Sequence, residues 1–564
     1  MTFMRQLFRK KNINSFSGDS GENEEGSHLK RILSVKDLTF FGIAAIIGAG
    51  IFSTIGRASF DGGPAVSLLF LFVAVACVFT ALCYAQFASM IPVSGSAYTY
   101  AYASLGEIFA WIIGWALILE YAVSNMVVAI SWSEYFTSML EGFGIHWPKW
   151  LAIDAGSASR AYEQVLHADA KADLPSNIIA AAKTYEASPI IAGHHILFDL
   201  PAGLITVLIT SLVYIGIRES RNVSNALVLL KLGIIALVIG AGAVFVKPEN
   251  WSPFAPNGVG GILKGVAAVF FAFIGFDSIS TTAEECKNPQ RDLPKAMIYS
   301  LIICTILYIL ISFVLTGMVN YKELRVDDPL AFVFGKVGMN FIAGVISVSA
   351  VIAITSALLV YQIGQPRIWM TMSRDGLLGK KFGEIHPKFQ TPGFSTIITG
   401  LLVGIPAMFL DMQFVVDLTS VGTFFAFIMV CSGILYLDYM GYSKTAKFKI
   451  PYINGRYLVG LLLVAVSTLI YTNFSSIEIQ QIISEKPLLI LFGLIWLGLS
   501  IASFKYKFSM IPILGILFNL YLMTELGWSN WLMFTIWLSI GLVIYFVYGR
   551  KNSKLNLQNI LNDV

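Results

Sequence analysis

Lys231 lies in a long uncharged stretch whose nearest flanking charges are Arg221 and Lys247. The stretch is long enough to cross a bilayer as a helix. A charge at that depth costs roughly 3 kcal/mol, and such residues are retained where a partner, an ion path or a proton relay uses them. If the helix begins at Asn222, Lys231 lies about 13 Å from its start, which favours a proton-coupling role over a side chain that reaches back to the interface.

Two apolar stretches contain glycine near their centres. Gly48 and Gly50 lie in 41–56, and Gly275 lies in 270–285, closely followed by the carboxylate of Asp277. Glycine weakens a helix by about 1 kcal/mol relative to alanine. Interrupted spans at matching positions of two halves indicate a transporter binding site, although the glycines of the first stretch alone equally fit tight helix packing.

A break in a membrane helix exposes backbone groups that can bind a ligand. It frees N–H groups at one half-helix and carbonyl groups at the other. The positive N-terminal end attracts a carboxylate, and the free carbonyls accept hydrogen bonds from an ammonium. Two breaks that face each other therefore predict a site for a zwitterion such as an α-amino acid.

The composition places these stretches in an all-α membrane protein. Of 564 residues, 56% are hydrophobic and 13% are charged, whereas soluble proteins carry about 25% charged residues. Each predicted span has close to the ~20 residues that a crossing requires. We predict fourteen spans, at 38–56, 66–90, 108–136, 200–217, 222–246, 262–284, 296–320, 338–366, 394–410, 413–437, 457–475, 487–504, 508–525 and 529–548.

Charge predicts the orientation of the chain. Lys and Arg are more frequent in the segments on the N-terminal side of the membrane, which predicts that both termini are cytoplasmic and that the protein lies in the cytoplasmic membrane. For residues 1–36 we predict a partly disordered cytoplasmic tail without a cleavable signal peptide. For residues 550–564 we predict a second cytoplasmic tail. The outer segment 137–199 predicts short helices, which we interpret as a surface elaboration; a functional lid is the alternative.

Composition and spacing also exclude several function classes. The net charge of +4 indicates no nucleic-acid surface. The five cysteines form no CxxC pair and the six histidines show no ligand spacing, so we predict no disulfide framework, no metal and no cofactor. The spans contain no nucleophile–base pair, so an enzyme is not expected.

An ordered set of motifs runs through most of the membrane region. It resembles the amino acid–polyamine–organocation (APC) superfamily and, within it, the cationic amino acid transporter (CAT) family and its bacterial relatives. The motifs are 29–31 (Leu-Lys-Arg), 47–52 (Ile-Gly-Ala-Gly-Ile-Phe), 88–100, 114–121, 270–277, 283–294 (Ala-Glu-Glu-Cys-Lys-Asn-Pro-Gln-Arg-Asp-Leu-Pro), 364–368 (Gly-Gln-Pro-Arg-Ile), 373–377, 519–523 and 537–550.

The resemblance implies the inverted five-plus-five helix repeat (LeuT-like, APC fold), with helices 1 and 6 broken and alternating access. The first repeat would be 37–246, including the outer loop 137–199, and the second 262–440. Accessory helices 11–14 would occupy 453–549. Helices 11 and 12 look inserted relative to twelve-helix relatives and are similar to the fourteen-helix CAT plan.

The resemblance also implies residue roles. Backbone at the first break would hold the ammonium and carboxylate of the substrate: Ile46, Ile47, Gly48, Ala49 and Gly50. Carbonyls and an aromatic gate would come from the second break: Phe271, Ala272, Phe273 and Ile274. Lys231 matches the helix-five lysine that replaces a structural sodium ion in proton-coupled relatives, with Thr355 and Ser356 as its neighbours.

Side-chain selection is predicted at Glu120, Ser124 and Ile354. Glu120 is either a counter-charge for a cationic substrate or a structural carboxylate, and relatives that carry neutral amino acids keep it too. Ser124, one turn later, would set pocket size. Gln86 stands where many relatives have glutamate, so any coupling role of that glutamate is lost here.

We predict a secondary active transporter that takes up α-amino acids together with protons through Lys231. Its expected partners are the amino acid, the proton and membrane lipid, with no nucleic acid; an accessory membrane subunit is left open. The alternatives are an amino acid exchanger without net proton coupling and, from another class, an amino acid sensor that does not transport.

Overall fold

The chain folds almost entirely into helices. The computed structural model describes residues 6–11, 29–48, 55–167, 176–258, 261–262, 265, 269–270, 272–326, 328–473, 484 and 486–556. The first half contains α1 (Val35–Ile46), α2 (Ile55–Gly62), α3 (Val66–Met90), α4 (Ala97–Ser104), α5 (Glu107–Gly142), α6 (Ala155–His167), α7 (Ser176–Ala187), β1 (Ile190–Ile191), β2 (His194–His195), α8 (Leu200–Ile215) and α9 (Ile217–Ala243).

The second half continues with α10 (Pro289–Met318), α11 (Pro329–Lys336), α12 (Asn340–Arg374), α13 (Gly393–Phe409), α14 (Met412–Tyr439), α15 (Gly455–Asn473), α16 (Leu488–Tyr506), α17 (Met510–Thr524), α18 (Trp528–Ile544) and α19 (Arg550–Asn552). Short 3₁₀ helices are Gly63–Ala65, Lys149–Leu151, Pro248–Trp251, Phe276–Glu285, Tyr321–Glu323, Lys380–Gly383 and Tyr442–Thr445. A π-helical turn, Tyr545–Gly549, joins α18 to α19.

Long apolar helices match most of the predicted spans. Within the described residues, nine helical segments are long and apolar enough to cross a membrane, and three shorter apolar helices accompany them. Together they cover most of every predicted span except 38–56 and 262–284. Those two are the interrupted spans, and each includes residues outside the described ranges. The protein is therefore an integral membrane protein, while the count of fourteen stays a prediction.

Helices from the two predicted halves pack against each other in matching pairs. α3 packs on α10, α5 on α12 and α8 on α13, and α1 contacts the 3₁₀ helix Phe276–Glu285. In each pair, the two elements have the same position in the order of the predicted spans of their halves, for example the second span of the first half and the second span of the second half. This pairing fits the proposed repeat, and it brings both interruptions to one place.

Local capping fixes where the first helix begins. The Ser34 hydroxyl accepts from the Asp37 N–H at 3.4 Å, and the Asp37 carboxylate accepts from the Ser34 N–H at 2.9 Å. This reciprocal pair satisfies two backbone groups that a helix start leaves open. Asn225 on α9 also donates to Asp37 at 2.6 Å, so the cap ties α1 to α9.

The C-terminal helix α18 docks on α5 through tryptophans. The rings of Trp115 and Trp537 stack at 4.6 Å. Each indole N–H donates to the backbone carbonyl of the other residue, at 2.8 and 2.9 Å. Burying an indole is favourable when its N–H finds a partner, so this contact fixes the two helices to each other.

The outer segment forms its own small layer of α6, α7 and the β1–β2 hairpin, so the short helices predicted there are present. The Tyr185 ring stacks between Tyr162 and His195, at 5.2 and 4.1 Å. Arg160 pairs with Asp411 at the start of α14, at 2.7 Å. The segment is thus anchored on the bundle, which fits a surface elaboration and leaves the lid alternative as a prediction.

Candidate substrate site

The first interruption begins where α1 ends. Ile46 is the last helical residue, and Ile47 leaves the helical region with φ −82° and ψ 67°. The Gly48 N–H donates to the Ile46 carbonyl at 2.9 Å. The predicted residues Ala49 and Gly50 lie outside the described residues. The next described helix begins at Ile55, so α1 ends within the stretch in which the glycines predict a break.

The second interruption turns at Gly275, whose φ is +117°. A Cβ at this position would lie 2.8 Å from the Ala45 Cβ and 2.9 Å from the Tyr361 hydroxyl. Glycine is therefore required both by the left-handed backbone and by the close approach to α1. Ala272, Phe273 and Ile274 form the turn before it, and Phe271 lies outside the described residues.

The hydroxyl of Tyr308 on α10 joins the two interruptions. Its oxygen lies 2.8 Å from the Ile46 carbonyl and 2.9 Å from the Ala272 carbonyl. The Tyr308 ring packs on Phe273 at 5.1 Å. Tyr308 was not identified from the sequence, where its only signal is that it is the single aromatic residue in the stretch 302–310.

Lys231 reaches the end of α1 from α9. Its ammonium donates to the Ala44 carbonyl at 3.4 Å and to the Ile47 carbonyl. Its side chain is buried, and within the described part of the chain no carboxylate forms an ion pair with it. The lysine therefore donates hydrogen bonds to backbone carbonyls at the end of α1, where the first interruption begins.

Thr355 and Ser356 on α12 make other hydrogen bonds. The Thr355 hydroxyl accepts from the Trp132 indole at 2.9 Å, and the Ser356 hydroxyl donates to the Ala353 carbonyl at 2.7 Å. Although α9 packs against α12, these bonds do not involve Lys231. A direct contact of either hydroxyl with Lys231 stays a prediction.

Two predicted selectivity residues lie one turn apart on α5 with unpartnered polar atoms. Glu120 Oε2 and Ser124 Oγ are buried and have no hydrogen-bond partner among the described residues. Buried polar atoms are usually paired, so each exception needs an explanation, and a substrate group that completes the pair supplies one. Glu120 is close enough to Thr423 for a hydrogen bond and to Asp277 for electrostatic interaction. Ile354 is buried on α12.

Tyrosine hydroxyls surround the second interruption. Tyr121 on α5 donates to Asp277 at 3.2 Å, and Tyr361 on α12 donates to the Ile274 carbonyl at 3.4 Å. The rings of these two tyrosines meet edge to face at 5.9 Å. They tie the turn to helices of both halves, and sequence reasoning could not pair residues so far apart in the chain.

One face of the site is closed by ion pairs at the end of the 3₁₀ helix Phe276–Glu285. Arg367 on α12 binds Glu285 through two hydrogen bonds of 2.8 and 2.6 Å, and both side chains are buried. Arg374 pairs with Glu284 at 2.7 Å. The backbone N–H of Leu33 also donates to the Glu285 carbonyl at 3.0 Å. In the predicted orientation this is the cytoplasmic face.

Gln86 lies away from the interruptions. Its amide donates to Asp438 at 3.2 Å and to Ser443 at 3.0 Å, and its oxygen accepts from the Ile450 N–H at 2.9 Å. All polar groups of this amide face the end of α14 and the segment after it. The residue therefore connects α3 to that segment.

Comparison with known proteins finds similarity to permeases and transporters. A family model described as amino acid permease matches residues 33–499, and one described as the C-terminus of that permease matches 509–553. The branched-chain amino acid permease of Bacillus subtilis (strain 168) is 38% identical over 98% of this chain and 99% of its own length. A methylthioribose transporter of the same organism is 36% identical over 98% and 100%. Cationic amino acid transporter 2, vacuolar, of Arabidopsis thaliana is 31% identical over 98% and 94%.

Proposed function

The chain belongs to the amino acid permease family, and we propose that it is a secondary active transporter that carries α-amino acids across the cytoplasmic membrane by alternating access. The observation that carries the proposal is the meeting of the two interruptions at the Tyr308 hydroxyl. Irregular backbone at membrane depth is tolerated where it lines a cavity or is packed within protein. Its free N–H and carbonyl groups suit a carboxylate and an ammonium.

We propose that Lys231 couples transport to protons. When protonated, its ammonium donates to the carbonyls at the end of α1. When the proton leaves, the side chain loses its charge and one donor, so its hold on this end of the helix weakens. Proton occupancy would then bias the conformation of the first interruption, where the substrate binds.

Alternating access requires that the closed face opens. The Arg367–Glu285 and Arg374–Glu284 pairs hold the 3₁₀ helix to α12 on the face predicted to be cytoplasmic. Release of the substrate to the cytoplasm would require these contacts to separate, together with the backbone pairing of Leu33 and Glu285. The ion pairs would thus form the inner gate of the proposed cycle.

The test is uptake of radiolabelled amino acids into proteoliposomes at an internal pH of about 7.5, with an external pH of about 5.5 or 7.5 and without sodium. We expect accumulation only with the inward proton gradient, and none in Lys231→Ala. Lys149→Ala in the outer segment, where the side chain is exposed, is the matched control and should behave as wild type. No movement of any amino acid under any gradient would contradict the proposal.

The same assay separates the alternatives. Uptake that needs internal amino acid but no proton gradient would identify an exchanger and make Lys231 a structural cation. Binding without transport would identify a sensor. Competition by leucine, arginine and methylthioribose identifies the substrate class, because these compounds represent the substrates for which the three relatives are named. If Glu120 serves as a counter-charge, Glu120→Gln should weaken arginine competition and spare leucine.

A further inference from the structure

α15 and α16 form a groove that faces away from the rest of the bundle. It measures about 550 Å³, and its walls are Gly460, Leu461, Val464, Ser500 and Ile501. Only 11% of the membrane-spanning window of each helix is buried against protein. From Arg456 to Val464 the groove runs about 12 Å, close to half of the ~30 Å hydrocarbon core. Its length therefore suits a chain from one leaflet.

One end of this groove is formed by a partly buried cation, Arg456. The Arg456 guanidinium lies 5.3 Å from the Tyr457 ring centre and 4.7 Å from that of Phe504. Its Nε is buried and has no hydrogen-bond partner among the described residues. A guanidinium that lies over two rings and whose Nε has no acceptor among the described residues can bind an oxyanion through its N–H groups.

The surroundings of Arg456 are basic. The Gly455 N–H donates to the Phe508 carbonyl and the Met510 N–H to the Ile453 carbonyl, which brings Lys505 and Lys507 to the same end of the groove. Residues 446–473 and 486–510 contain no Asp or Glu. No acidic side chain of these two segments is available to neutralise the cluster.

We propose that this groove binds one anionic phospholipid, with its phosphate on Arg456 and an acyl chain along Gly460 and Val464. A basic pocket between membrane helices at the headgroup level suits an anionic lipid. A second copy of the chain docked through the same face would bring two basic clusters together, which like-charge repulsion disfavours. The proposal is independent of the transported substrate.

Native mass spectrometry of the purified full chain tests the proposal. It would compare retention of phosphatidylglycerol with that of phosphatidylcholine carrying the same acyl chains. We expect wild type to retain one phosphatidylglycerol preferentially. Arg456→Gln should weaken that preference about fivefold, as expected for one basic side chain at an anionic surface. Soluble glycerophosphate should not displace the lipid, because it lacks the chain that fills the groove.

A pair of glycine variants separates the groove from general effects on the helices. A Cβ at Gly460 or at Gly498 meets no atom within 4 Å, so a larger side chain can begin at either position without a clash, but only Gly460 lines the groove. Gly460→Leu should lower phosphatidylglycerol retention about tenfold, equivalent to roughly two methylene groups that are no longer buried. Gly498→Leu should behave as wild type.

Three results would overturn the proposal. Wild type could retain the two lipids equally, Gly460→Leu and Gly498→Leu could lower retention alike, or a second copy of the chain could occupy the face and appear as a dimer. If Arg456→Gln does not yield folded protein, the glycine pair still decides, since neither change removes a charge or an existing contact.

Discussion

The Tyr308 hydroxyl faces carbonyl oxygens of both interruptions. Its one hydrogen can be donated to only one of these carbonyls at a time. Removing the hydroxyl in Tyr308→Phe leaves buried acceptors at Ile46 and Ala272 without this donor. We expect a loss of about 1–3 kcal/mol in stability and slower transport, because the two breaks lose their shared bond. Thermal unfolding and proteoliposome uptake measure the two effects.

The control for this change is Tyr84→Phe. The Tyr84 hydroxyl is also buried, but it has no hydrogen-bond partner among the described residues. Its removal should leave stability close to that of wild type, since no bond is lost. Equal destabilisation by the two substitutions would show that the ring environment, rather than the Tyr308 bridge, determines the effect.

Asp199 caps α8 outside the spans and gives stability a defined pH dependence. Burial raises its pKa to about 7, against an ordinary value near 3.9. Hydrogen bonds from Ser133 and the Ala202 N–H oppose that rise, and the nearby carboxylate of Asp154 adds to it. The folded protein therefore binds this proton more tightly than the unfolded chain.

The contribution of Asp199 to stability is complete below about pH 4 and falls as pH rises to about 7. Asp199→Asn keeps a capping oxygen and removes the titration. We expect the melting temperature of wild type, relative to the variant, to decline from pH 5 to pH 8. Parallel curves for the two proteins over this range would contradict the assignment.

Residue types predicted part of the site, and only part. Glycine and an intramembrane lysine carry a local signal, because each is costly in a membrane helix. The structure places Gly48, Gly275 and Lys231 at the two breaks. Tyr308 carries no such cost, since a tyrosine can bury its ring and satisfy its hydroxyl, so its sequence position did not reveal its role.

The 3₁₀ helix Phe276–Glu285 is held to α12 by two ion pairs of different burial. Arg367 and Glu285 are 1% and 0% exposed, whereas Arg374 and Glu284 are 37% and 21% exposed. Breaking a buried pair leaves an uncompensated charge and costs about 3–5 kcal/mol. An exposed pair contributes about 0–1 kcal/mol.

This difference predicts the outcome of a double-mutant cycle. Arg367→Gln should strongly lower resistance to denaturation by SDS, and adding Glu285→Gln should cost less than the sum of the two single changes. The matched cycle with Arg374→Gln and Glu284→Gln should show small changes in stability. Additive effects in the buried cycle would mean that the two side chains do not act as a pair.

Throughout the protein, the length of the apolar stretches predicted most helices, because a membrane span needs about 20 apolar residues whatever its neighbours are. It did not predict the docking of the tails. Arg9 contacts Glu107, and Ser553 contacts the same carboxylate. The polar composition of the two tails predicted disorder, because such segments contain few apolar residues to bury. In the structure Arg9 and Ser553 are buried by partners that are distant in sequence.

Glu107 joins both ends of the chain at the start of α5. Its buried carboxylate accepts hydrogen bonds from Arg9 at 2.7 and 2.6 Å, Tyr102 at 2.7 Å, Tyr545 at 2.9 Å and Ser553 at 2.5 Å. Glu107→Gln leaves Arg9 as a buried charge without its counter-ion, which is unfavourable. Both ends lose a charge-assisted bond, so both should detach together.

Limited trypsin digestion of protein with distinct N- and C-terminal tags measures this detachment. In Glu107→Gln we expect faster loss of both tags, through cleavage beside Arg9 and beside Arg550. The control Glu141→Gln removes a carboxylate that is about half exposed and should leave both rates unchanged. Faster loss of only one tag would show that the two ends are held independently, because a shared carboxylate cannot release one end and keep its full hold on the other.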